Sequence, residues 1–142
     1  MQEVLEYNEK WAAQKAQSTA TYFNSHSAGQ QPKYFWMGCS DSRVVPNLAL
    51  GLSIGDVFVY RNIANFVDPE DIGPQAAIQY AVQVLGVTDI LVVGHTHCGG
   101  IKSALTKSHL SGPVQQWLTR IRRVISGHTS VLDEVTDFNS KV

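Results

Sequence analysis

Residues 71–87 read DIGPQAAIQYAVQVLGV and lie between DVFVYRN (56–62) and DILVVG (89–94). Pro74 falls where a first helical turn tolerates proline, and Ala77, Ile78, Ala81, Val82 and Leu85 recur at helical spacing. Gly86 supplies a C-terminal stop. DVFVYRN is rich in β-branched and aromatic residues. DILVVG is, moreover, a continuous apolar run of the kind found in parallel strands covered on both faces. Strand, helix and strand in that order predict a parallel pair with a right-handed crossover. The expected fold is therefore α/β, a mainly parallel β-sheet flanked by helices.

Upstream, KYFWMG (33–38) reads as a buried strand ending at Gly38, and NSHSAGQQP (24–32) as a polar linker. At the N-terminus, Val4, Leu5, Trp11 and Ala12 stand near helical spacing and continue toward Tyr22 and Phe23, predicting one helix or two short ones. Downstream, PVQQWLTRIRRVIS (113–126) predicts a helix with Val114, Trp117, Leu118, Ile121 and Val124 on one stripe. The final VLDEVTDFNSKV (131–142) also reads as helical, without a stop signal. The expected organisation is a helical arm and linker over residues 1–30 and an α/β domain over 31–142.

The 142 residues, 44% hydrophobic, suit one domain. Eleven Lys and Arg stand against twelve Asp and Glu, with no basic run, so neither nucleic acid nor an anionic membrane is an expected partner. A small neutral or anionic substrate fits better. No apolar run approaches the roughly 20 residues that span a bilayer, and the first residues lack the pattern of a signal peptide. The expectation is a cytoplasmic protein, or an organellar one if a targeting segment has been removed. In such a setting the two cysteines are expected as thiols or metal ligands.

Each cysteine falls just past the end of a predicted strand: Cys39 after KYFWMG, Cys98 four residues after Gly94. In an open parallel sheet the carboxyl ends of the strands share one edge, where the two thiols would converge. His95 lies three residues before Cys98, so Cys39, His95 and Cys98 form a Cys2His set, a donor mixture suited to Zn2+. Three protein ligands leave a fourth position for water or for Asp41. The bland alternative is an inert buried thiol and a hydrogen-bonded imidazole. His97 is the competing imidazole, directed away from the metal on this reading, and His26, His109 and His128 are expected at the surface. Asp41 and Arg43 read either as a loop salt bridge of little worth or as a dyad beside the metal. In the dyad, Arg43 holds the carboxylate clear of the ion while Asp41 accepts a hydrogen bond from a water ligand. Gly99 and Gly100, simple turn residues on one reading, would also let backbone approach the site.

CSDSR (39–43), followed some fifty residues later by GHTHCGG (94–100), resembles the β-class carbonic anhydrases. The resemblance extends to NEKWAAQKAQ, GDVFVYRNIAN and AAIQYAVQVLGV, and so over nearly the whole chain. It implies zinc on Cys39, His95 and Cys98, Asp41 and Arg43 as the dyad, and reversible hydration of carbon dioxide to bicarbonate and a proton. It also implies an N-terminal helix reaching over a neighbouring subunit, in a homodimer or higher homo-oligomer. Gln30, Phe58 and Tyr80 match members with Gln, Phe and Tyr around the substrate pocket; without the resemblance the aromatics read as core and Gln30 as linker. Family members continue past the position of Val142 with a further strand and helices. The chain is therefore expected to be truncated at its C-terminus and to expose a sheet edge and part of an apolar face. Two other functions suit the same site: hydrolysis of a CO2-like molecule such as carbon disulfide or carbonyl sulfide, and a zinc-stabilised module without turnover.

Overall fold

Tyr34–Cys39 forms strand β1, and every side chain after Tyr34 is buried, which marks it as the centre of the sheet. The computed structural model describes residues 1–142. Contacts divide the chain into two units, Met1–Gln31 and Pro32–Val142. In the first, helices α1 (Gln2–Ser18) and α2 (Tyr22–Ser27) have no buried residue. Their shared apolar feature is an edge-to-face aromatic group. Trp11 lies 6.2 Å from both Tyr22 and Phe23, and those two are 5.1 Å apart.

In the second unit, β2 (Val57–Asn62) and β3 (Asp89–Val93) run parallel to β1 on either side of it, in the order β2-β1-β3. The predicted strand-helix-strand unit is present, but its strands are not neighbours, because β1 enters between them. The connecting helix α4 (Ile72–Gln79) is capped by Asp71, whose side chain accepts from the Gly73 N–H, and Pro74 sits in its first turn. It continues as a π-helical turn, Tyr80–Val84, in which the Leu85 N–H reaches the Tyr80 carbonyl at 3.0 Å. Gly86 then takes φ +68° and ends the helix. The π turn buries Ala81 fully and leaves Val82 exposed, so Val82 departs from the predicted stripe.

The rest of the chain adds α3 (Pro46–Leu50), which periodicity had not signalled, α5 (Gly99–Leu105), α6 (Gly112–Ser126), α7 (Thr129–Asp133) and α8 (Phe138–Lys141). The last two divide the segment read as one helix. On α6, Leu118 and Ile121 are buried with Trp117 and Ile125 beside them, while Val114 and Val124 are exposed. The buried stripe is thus rotated from the predicted one. It packs on Cys39, Ala64, Cys98 and Ala104, whereas a second core cluster gathers Phe35, Met37, Ala81 and Val87. β3 departs furthest from expectation: Ile90 is 47% and Val92 61% exposed. The apolar run predicted covering on both faces, but this chain leaves these two side chains largely uncovered.

Candidate metal centre

The register pairs Gly38 with Arg61 on one side and with Val93 on the other, so the three strands end along one edge. Gly38 is needed there, since a Cβ would lie 2.0 Å from the Trp36 indole nitrogen. Cys39 is the last residue of β1 rather than the first beyond it, and His95 and Cys98 follow β3 in the turn that opens α5. The ligand atoms of Cys39, His95 and Cys98 all lie within 4.8 Å of one another. The two sulfurs are 3.8 Å apart. Two thiolates on a tetrahedral zinc at about 2.3 Å each would stand about 3.8 Å apart, so the spacing fits.

The imidazole is equally prepared. His95 Nδ1 lies 3.0 Å from the Thr96 carbonyl, which only accepts, so Nδ1 carries the proton. That leaves Nε2 as a bare lone pair, and it is buried with no hydrogen-bond partner. An orphaned acceptor among two sulfurs is what a metal would satisfy.

Burial pushes both thiols up. For Cys39 the N–H groups of Asp41 and Ala64 act against burial, and the net direction is down. For Cys98 burial prevails over the N–H groups of Ile101 and Gly100, and nearby Cys39 adds to it. A cation between the sulfurs favours the thiolate at both.

Asp41 stands at the mouth of the cluster, its Oδ2 3.8 Å from His95 Nε2. Arg43 donates to the carboxylate through its backbone N–H at 3.0 Å, Nε at 2.8 Å and Nη2 at 2.7 Å. These bonds hold the Asp41 carboxyl well below the usual carboxylate range. Arg43 Nη2 also donates to the His97 carbonyl at 3.3 Å, while the His97 ring is exposed and lies outside the ligand group. His26, His109 and His128 are exposed.

Two features of the site lay outside the sequence reading. Arg61 on β2 donates through Nε to the Cys39 carbonyl at 2.8 Å and through Nη2 to the Asp41 carbonyl at 2.6 Å. It thus clamps the backbone that carries both residues. The turn after β2 holds Ala64 at φ +66° and Asn65 at φ +43°. Asn62 pins this turn by accepting from the Phe66 N–H, and the Trp117 indole donates to the Ile63 carbonyl at 2.9 Å. The strain brings the Ala64 N–H to the Cys39 sulfur. Sequence carries a trace of it only in RNIAN, where nothing marks Ala64 as left-handed.

The remaining expected site residues are dispersed. Phe58 packs against the second core cluster, and its ring lies 5.7 Å from that of the exposed Tyr80. Neither lines the cavity of about 270 Å³ bordered by His95, Cys98, Asn65 and Ile101. Gln30 belongs to the N-terminal unit. A Cβ on Gly100 would meet Ile63 Cγ2 at 2.8 Å, whereas Gly99 faces open space.

Comparison with known proteins bears on this centre. Residues 34–141 match the family described as carbonic anhydrase. A carbonic anhydrase of Emericella nidulans is 45% identical over 94% of this chain and 58% of its own length. One from Saccharomyces cerevisiae is 40% identical over 80% of this chain and 51% of its own length. A chloroplastic beta carbonic anhydrase of Arabidopsis thaliana is 42% identical over 59% of this chain. Among solved structures, a tetrameric beta-carbonic anhydrase from Sordaria macrospora superposes with a TM-score of 0.89 at 41% identity. The match covers 99% of this chain and 71% of that one. The chain thus spans about half the length of the curated relatives it matches.

Proposed function

The chain belongs to the β-class carbonic anhydrase family, and on that premise we propose that it serves the reversible hydration of carbon dioxide to bicarbonate and a proton, with Zn2+ held by Cys39, His95 and Cys98. The observation that carries this reading is the donor set: two sulfurs 3.8 Å apart and a buried imidazole nitrogen without a partner. Zinc in a site with an open position acts as a Lewis acid that lowers the pKa of bound water to about 7, making a nucleophile available at neutral pH.

The protein's own groups do the rest. Asp41, ionised and held by Arg43, would accept a hydrogen bond from a donor beside the Cys39, His95 and Cys98 group and fix its orientation. Arg43 would keep that carboxylate from joining the ligand group. Gln30, Phe58 and Tyr80 are assigned to the substrate pocket on the strength of the resemblance alone. Gly99, with open space where a side chain would stand, leaves backbone free to approach a small ligand; Gly100 directs its N–H at Cys98.

We assign a homo-oligomeric state, in keeping with the tetrameric Sordaria protein and with the unburied surface of α1. No helix is long and apolar enough to cross a membrane. The proposed location is the cytoplasm, or an organelle as for the chloroplastic relative.

Metal analysis paired with a stopped-flow hydration assay tests the proposal. One zinc per chain is expected, with activity lost to a chelator and restored by zinc. A metal content near zero, with both thiols freely titrating, would overturn the site. Full zinc without hydration would leave a zinc-stabilised module, and turnover of carbonyl sulfide in its place would identify the hydrolase.

A further inference from the structure

Arg122 on α6 is half-buried and has no carboxylate partner. Its Nε donates to the Ala104 carbonyl at 3.3 Å, and its Nη2 to the carbonyls of Ser103 at 3.3 Å and Ser108 at 2.8 Å. These are the carbonyls that end α5 and begin the next turn, so the guanidinium is fixed in orientation while Nη1 remains without a protein partner. Beside it opens a cavity of about 690 Å³ that also receives Lys107, His109 and Arg123, and no Asp or Glu lines it. None of the chain's ion pairs uses Lys107, Arg122 or Arg123. A chain with net charge -1 therefore concentrates unpaired cations in one cavity. The turn that presents Lys107 is fixed, with Lys107 at φ +52° and its N–H on the Ala104 carbonyl.

We propose that this cavity between α5 and α6 is a second ligand site, for a small phosphate monoester. The free Nη1 of the fixed Arg122 guanidinium and the two more mobile cations of Lys107 and Arg123 suit a phosphate dianion. Leu105 and Ile125 supply an apolar wall that an inorganic anion would leave uncovered, and the volume lies in the range of roughly 300–1,000 Å³ typical of small-molecule sites. Those two residues also border the cavity that holds His95 and Cys98, so the two cavities share a wall. The proposal stands independently of the metal assignment.

Calorimetric titration of the zinc-loaded chain with phenyl phosphate and with inorganic phosphate tests it. The expected result is one saturable site per chain that is weakened by salt and prefers the ester. Lys107→Gln with Arg123→Gln should weaken it by about tenfold or more. Both side chains are exposed, and an unchanged melting curve checks the fold; if the pair fails to fold, Arg123→Gln alone carries the test. The His109 ring signals should shift during the titration. Absence of saturable heat would overturn the site. Binding that the double variant leaves intact would put the anion elsewhere, at the metal, and equal affinity for inorganic phosphate would overturn the ester class.

Discussion

Two arginines hold Asp41 by different atoms, Arg43 through the carboxylate and Arg61 through the backbone carbonyl. The division gives distinct expectations. Asp41→Asn retains the three protein ligands, so zinc content should stay whole while hydration falls by a factor on the order of ten to a hundred. Arg43→Ala frees the carboxylate to join the ligand set. X-ray absorption of the zinc-loaded variant should then show four protein ligands, and hydration should be absent. Full activity in both variants would remove the dyad from the mechanism. Arg61→Gln acts on position instead, releasing the carbonyls of Cys39 and Asp41 together. Zinc affinity, measured by competition with a chromophoric chelator, should weaken by roughly ten- to a hundredfold. An unchanged affinity would reduce Arg61 to a strand contact.

Helix α5 and the Ile63–Asn65 turn meet without room to spare. Adding a Cβ at Gly100 forces Ile63 Cγ2 from 2.8 Å and Ala64 Cβ from 3.1 Å, whereas the same addition at Gly99 meets nothing within 4 Å. Gly100→Ala should therefore cost about 1–3 kcal/mol by overpacking, and Gly99→Ala much less. The displaced elements carry the N–H groups that face both sulfurs, so Gly100→Ala should lower zinc affinity along with stability. Thermal melts of metal-free and zinc-loaded protein separate the two effects. Equal melts for the two alanine variants would contradict the packing argument.

In the molecule as a whole, apolar surface is concentrated where no element of this chain lies over it. Ile90 and Val92 on β3 are exposed, and Val4, Leu5 and Tyr7 on α1 likewise. Most helical stability in proteins comes from tertiary packing, and the 17-residue α1 has no buried residue. Docking on a partner subunit would supply the packing. Deleting residues 1–20 is accordingly expected to lower the mass measured by light scattering or to render the protein insoluble. A deletion variant with the parent mass and solubility would rule out that role for the arm.

Local pattern determined the existence and kind of the main elements. The βαβ periodicity, the stops at Gly86 and the helix start at Pro74 are short-range effects of backbone freedom and apolar spacing, and the sequence displays them directly. The convergence of Cys39, His95 and Cys98 was equally legible, because each stands at or just past the end of a strand of one parallel sheet, and their ligand atoms do lie within 4.8 Å of one another; the two motifs carried the family resemblance. What tertiary structure alone decided depends on neighbours distant in sequence. β1 enters between β2 and β3 because strand order is settled by packing. The α6 stripe turns toward Trp117 and Ile125 because the Cys39–Ala104 cluster sets which face is buried. Arg61 became a backbone clamp only when parallel register placed it opposite Gly38. The left-handed Ala64 had no signal at all in a residue type that normally avoids positive φ; it is held there by Asn62, Trp117 and the close approach of Gly100.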